Sequence, residues 1–122
     1  MALTKIAINP QGGTIKAEVR FTTPQVAAYI IRLWESGSND VVMEVSGNND
    51  NPADDIHPLP IPASANQGRL LQCNATLADP VGSGPYRVEL EVTQDGNSLG
   101  VLFAQGNMSN SSVSCSLFAK LT

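Results

Sequence analysis

The sequence predicts an all-β domain, an antiparallel β-sandwich of about seven to nine short strands. Three observations carry that expectation. Tyr86, Val88, Leu90 and Val92 alternate with Arg87, Glu89, Glu91 and Thr93, and a period of two buries one face of a strand and wets the other. Asp95-Gly96 follows, and Leu99, Val101 and Phe103 resume the alternation on a return strand. An Asp-Gly pair between two such runs is a strong hairpin signal, because it tolerates positive φ. Finally, Gly-, Pro- and Asn-rich turns punctuate the whole chain at short intervals, as layered β architectures require.

The elements follow in order. Residues 4–9 carry Ile6 and Ile8 and read as a short first strand, ended by Asn9-Pro10-Gln11-Gly12-Gly13. Residues 14–21 alternate cleanly, with Ile15, Ala17, Val19 and Phe21 facing inward. Residues 22–37 admit two readings. A helix could start with Thr23 as N-cap and Pro24 in the first turn and stop at Gly37. A strand over 27–35 would place Tyr29, Ile31 and Leu33 on one face. β-Branched and aromatic residues in the middle favour the strand. The turn at 36–40 and a strand over 41–45 that needs a partner favour it too.

Residues 46–68 read as a long irregular stretch. Pro58, Pro60 and Pro62 alternate with Leu59 and Ile61. Proline donates nothing to a ladder, so this segment belongs at a sheet edge, where it also blocks edge-to-edge aggregation. Residues 69–77 form a strand with Leu71, Cys73, Ala75 and Leu77 inward. The last strand, 112–121, turns Val113, Cys115, Leu117, Ala119 and Leu121 inward. Its outer face is Ser112, Ser114, Ser116, Phe118 and Lys120.

Leu77-Ala78-Asp79-Pro80 followed by Tyr86-Arg87-Val88-Glu89-Leu90 resembles the tyrosine corner of immunoglobulin-like and fibronectin type III domains. The resemblance implies an immunoglobulin- or fibronectin III-like sandwich. It departs from the antibody pattern at Val88, where that pattern has cysteine.

At 122 residues the chain reads as one domain, 1–122. Charged residues make up 15%, against an average of about 25%. Neutral polar residues fill the surface instead, as in lectins and in proteins that assemble side by side. The net charge of −4 and the scattered cations argue against nucleic acid, which wants a basic stripe. No apolar run approaches the length of about 18 that suggests a membrane span. No signal peptide is legible at the start, so the chain as it stands reads as cytoplasmic, or as secreted or cell-surface if a leader has been removed. Cys73 and Cys115 both face inward. Paired they would contribute about 3–4 kcal/mol, and free they are small buried hydrophobes.

Catalysis finds little support. His57 is the only histidine, and a Ser-His-Asp or Cys-His site would have to use it. It reads as a loop residue facing water. Val81-Gly82-Ser83-Gly84 precedes no helix, so it cannot be a phosphate loop. We expect no enzyme. Asn48, Asn49, Asp50, Asn51, Asp54 and Asp55 crowd hard oxygen ligands into one loop. Calcium takes six to eight such oxygens, some from irregular backbone. Asn48, Asp50, Asp54 and Asp55 are therefore the expected metal ligands. Trp34, beside Arg32 and Glu35 on the face opposite Tyr29, offers a platform on which a sugar ring could stack. With His57 from the loop, Trp34, Arg32 and Glu35 are the expected ligand residues. Asn74, Asn107 and Asn110 stand in the glycosylation acceptor pattern, which matters only in a eukaryotic secretory route. The sequence thus points to a non-catalytic, lectin-like module that recognises a glycan or protein ligand through its end loops. The alternative is an assembly subunit, such as a homo-oligomer built through sheet faces or edges.

Overall fold

Nine strands form among the residues that the computed structural model describes, 3–21, 26–48, 55–79, 84–108 and 111–122. They are β1 (Thr4–Ile6), β2 (Ile15–Phe21), β3 (Val26–Trp34), β4 (Val41–Asn48), β5 (Ile56–Pro58), β6 (Leu70–Ala78), β7 (Pro85–Gln94), β8 (Asn97–Asn107) and β9 (Ser112–Leu121). The one helical piece among them is a short 3-10 turn, Ala63–Asn66. The strands make two sheets. One has five strands in the order β1-β9-β6-β3-β4, and the other has four in the order β5-β2-β7-β8. All pairings are antiparallel except β1 with β9, which run parallel. The mixed pair arises because β1 lies beside β9 and the chain then crosses to the other sheet at β2.

The two inner faces supply the core. Ile15, Ala17 and Val19 of β2 and Val88, Leu90 and Val92 of β7 meet Tyr29, Ile31 and Leu33 of β3. Leu71, Cys73, Ala75 and Leu77 of β6 and Leu117, Ala119 and Leu121 of β9 complete it. The ambiguous segment is a strand. β3 is flanked by β4 and β6, so both of its edges find ladder partners. Its Tyr29, Ile31 and Leu33 face inward as the alternation requires. Thr23 and Pro24 lie outside the described residues. Both cysteines are free. Burial, with Cys115 nearby, pushes the Cys73 thiol up to about 12, so it is no nucleophile at neutral pH.

Two expectations need correction. The return strand β8 turns the opposite parity inward. Val101 and Phe103 are 45% and 52% exposed, while Leu102 and Ala104 pack against the core. The cause is a bulge. Thr93 pairs with Ser98 but Val92 pairs with Gly100. The extra residue, Leu99, shifts every later side chain by one place. The hairpin itself is as expected: φ is positive at Asp95 (53°) and Gly96 (78°), the two central residues of a type I′ turn. The stretch 46–68 is also more regular than its composition suggests. β4 runs on to Asn48, and β5 lays Pro58 on the outer edge of β2.

The outer face of the four-stranded sheet is an ion network. Arg20 reaches Glu91 at 2.9 Å, Glu18 at 3.2 Å and Glu89 at 3.3 Å. Arg87 holds Glu89 at 2.8 Å and lies 4.1 Å from the Phe103 ring centre. Arg87, and then Arg20, hold the Glu89 carboxyl below the ordinary value of 4.5, and Arg20 does the same to Glu91. Unfolded, these groups bind protons at the ordinary value, so just below it the unfolded chain binds more. Their stabilisation is present above that pH and is lost as pH falls through the lower folded values. Melting temperature is therefore expected to fall from about pH 4.5 downward, with a shallower fall in Glu89→Gln/Glu91→Gln. Equal slopes in thermal melts of the two proteins would contradict this.

Candidate functional site

A groove of about 430 Å³ lies on the outer face of the five-stranded sheet, within the roughly 300–1,000 Å³ typical of small-ligand sites. Period-two alternation places its residues. Trp34 of β3 pairs with Leu70 of β6, and Leu70 pairs with Lys120 of β9. One step along, Gln72 pairs with Phe118. Leu70 and Gln72 are thus the floor. Trp34 is one wall, and Phe118 with Lys120 is the other, about 10 Å away at two strand spacings. The 35–39 turn, with Gly37 at φ 65°, closes one end.

Hydrogen bonds fix these groups before any ligand arrives. Trp34 Nε1 donates to Gln72 Oε1 at 2.8 Å. Gln72 Nε2 donates to Asn74 Oδ1 at 3.1 Å, which also accepts from Ser116 Oγ at 2.6 Å. The indole plane is thereby held half-exposed over the sheet. Glu35 is the groove's one acid among the described residues. Arg69 grips both of its oxygens at 3.2 Å, and the Ser36 amide donates to Oε1 at 3.0 Å. Arg69 first, and then that amide, hold its carboxyl below the ordinary range.

The expected ligand residues do not converge. Trp34 and Glu35 line the groove. Arg32 is one row along and faces Glu44 at 3.4 Å, outside the lining. His57 belongs to the other sheet and does not face water as expected. It is half-buried, with Nε2 2.6 Å from the Tyr29 hydroxyl. That hydroxyl donates its single proton to Asp55 Oδ1 at 2.8 Å, so the His57 contact is Nε2–H donating to the tyrosine oxygen. Burial pushes the Tyr29 phenol well above its usual value. The trio looks like a proton relay, but it ties the two sheets together on the β4/β5 side of the sandwich.

Of the four expected calcium ligands, the structure describes Asn48 and Asp55. Asn48 ends β4 with its side chain exposed. Asp55 is 4% exposed and turned inward to Tyr29, because a polar group at that depth must satisfy the phenol. Asp50 and Asp54 lie outside the described residues. Among the described residues no three His, Cys, Asp or Glu side chains are grouped to hold a metal. No described helix is long and apolar enough to cross a membrane.

Sequence reasoning missed Leu70, Gln72, Phe118 and Lys120 as partners of Trp34. The signal was present in Phe118, an aromatic on an otherwise serine-rich outer face. What it lacked was the register that carries β9 to within two strands of β3.

Fold and groove define a two-sheet β-sandwich domain with an open site of mixed polarity on one outer face. Comparison with protein-family models, with curated proteins and with solved structures finds no match for this chain.

Proposed function

We propose that this domain is a non-catalytic carbohydrate-recognition module, and that the Trp34 groove is its binding site. The supporting observation is an indole wall across an amide-bearing floor from a second aromatic, Phe118. A sugar presents an apolar C–H face and a rim of hydroxyls, so it needs a flat apolar surface and planar hydrogen-bonding groups. Trp34 supplies the first, the amides of Gln72 and Asn39 the second, and the Ser38 hydroxyl adds a further hydrogen-bonding group. The indole's bond to Gln72 lowers the entropy lost on binding. The site is a sheet face beside one turn, which moves it away from the long loop first expected. Calcium at that loop, through Asn48, Asp50 and Asp54, belongs to the same proposal. Millimolar calcium should then raise the melting temperature, and an unchanged melt would remove it.

The test is a glycan array followed by titration of any hit. Trp34→Ala should weaken binding at least tenfold, about 1.4 kcal/mol, with little change in melting temperature. An array at background, or a Trp34→Ala protein that binds as well as the parent, would overturn the reading.

The type of sandwich is part of this proposal. We take it as immunoglobulin- or fibronectin III-like on the strength of its two packed sheets and the sequence likeness at Leu77-Ala78-Asp79 and Tyr86; residues 80–83 between them lie outside the described residues. Strand order limits the likeness. β2, which pairs with β7, precedes β3, which pairs with β6. Immunoglobulin connectivity visits the equivalent strands in the opposite order.

A second reading, an assembly subunit, is favoured by β8. It is an edge strand of eleven residues with no charge and no proline, and it exposes Val101 and Phe103. Edges are ordinarily blunted by one of these devices. Antiparallel pairing of two β8 edges would then join two copies. A concentration-dependent dimer in sedimentation that Val101→Lys abolishes would support this reading, and a monomer at high micromolar concentration would dismiss it.

A further inference from the structure

We infer that the groove takes an acidic saccharide, with the anionic group of the sugar against Lys120 and Lys5; this rests on the saccharide reading above. The charges around the site carry the inference. Lys120 lines the groove, and Lys5 is its direct neighbour in the β1–β9 ladder. In that ladder Ile6 and Leu121 are buried, so the preceding pair, Lys5 and Lys120, projects outward together. Both lysines are exposed. Among the described residues neither has a carboxylate within ion-pair distance. Like charges side by side on a sheet are unfavourable, and a bound anion relieves the repulsion.

Besides Lys120, Glu35 is the one charged residue lining the groove among the described residues, and Asp40, just past the lining turn, leaves a single negative charge against the two lysines. Glu35 is neutralised by Arg69, so it presents no net negative field to a ligand. Arg69 is in turn used up by Glu35 and by Asn66 Oδ1 at 3.2 Å. The groove is therefore locally positive on a protein whose net charge is −4. A pyranose ring against Trp34 would lie over Leu70, and a group on its far side would reach the Lys120 wall. A uronate carboxylate and a sulfate ester are both anions that fit this geometry.

The experiment titrates the full chain at low salt with oligogalacturonate, with its methyl-esterified neutral counterpart and with a sulfated galactan oligosaccharide. The proteins are the parent, Lys120→Gln, Lys5→Gln/Lys120→Gln and Trp34→Ala. At least one of the two anionic sugars should bind at least tenfold tighter than the neutral one. The preference should shrink with added salt, as exposed charges are screened, and vanish in the double lysine variant. Which of the two binds tighter identifies the anion, and either result supports the inference. Trp34→Ala should weaken neutral and anionic sugars alike. Equal binding of neutral and acidic sugars, still sensitive to Trp34→Ala, overturns the charge inference and leaves the saccharide reading standing. Binding of none of the three overturns both, as does acidic binding indifferent to Trp34 and to the lysines.

Discussion

Gln94→Ala lowers the unfolding free energy by about 3 kcal/mol. Gln94 is 3% exposed at the end of β7, and it holds together the turn that leads from β1 to β2. Its Oε1 accepts from the Asn9 amide at 2.9 Å. Its Nε2 donates to the carbonyls of Asn9 at 2.7 Å and Gly13 at 3.0 Å. Alanine removes three hydrogen bonds at once and takes this partner from the Asn9 amide and the Gly13 carbonyl, while the Asn9 carbonyl keeps the Gly12 amide at 3.0 Å. Each buried orphan costs about 1–3 kcal/mol, and water entering from the turn's open side relieves part of the sum. Gln94→Glu keeps the acceptor but loses the donor, so it should recover only part of the loss. Urea unfolding with an unchanged m value is the measurement. A loss below about 1 kcal/mol would mean that Asp95, which accepts from the Gly13 amide at 3.1 Å, holds the turn by itself.

Gly47→Ala destabilises by about 2–3 kcal/mol. Gly47 pairs with Tyr29 across the β3–β4 ladder, and an added Cβ would fall on the tyrosine hydroxyl and ring tip. The ring must swing away, which breaks its bonds to Asp55 and His57. Tyr29→Phe removes the hydroxyl alone and should cost about 2 kcal/mol, chiefly by leaving the buried Asp55 carboxyl without this donor. The two changes should couple. Phenylalanine is shorter at the tip, so the double variant should lose about 1 kcal/mol less than the sum of the singles. Strict additivity in denaturant melts would show that the two side chains do not meet.

Most of the layering was legible because it depends on local period. β2, β3, β6, β7 and β9 announce their inner faces by alternation, and those side chains are the buried ones. The parity of β8 was not legible. It turns on one inserted residue, Leu99, and a bulge leaves no periodic mark. Gly100 was a hint, since its missing side chain makes room for Ile6. The groove was half legible. Trp34 and Glu35 sit together in the chain and on the wall. Leu70, Gln72, Phe118 and Lys120 join them only through strand order, which alternation within one strand does not encode. The Tyr29–Asp55–His57 trio fails for the same reason, since it joins residues of β3, the segment before β5 and β5 itself. Reading Asp55 as a loop carboxylate and His57 as a water-facing residue follows from their neighbours in the chain. Their neighbours in space assign them to the interior.

The two sides of the sandwich are fastened differently, and this sets how the molecule breathes. The β4/β5 side is latched by two hydrogen bonds through one phenol, while on the other side Leu102 of β8 packs against the apolar core. Partial opening should thus hinge about the latched side and peel β8 away first. Backbone amides of β8 would exchange with deuterium well before those of β3 and β6, whose ladders are sealed on both flanks.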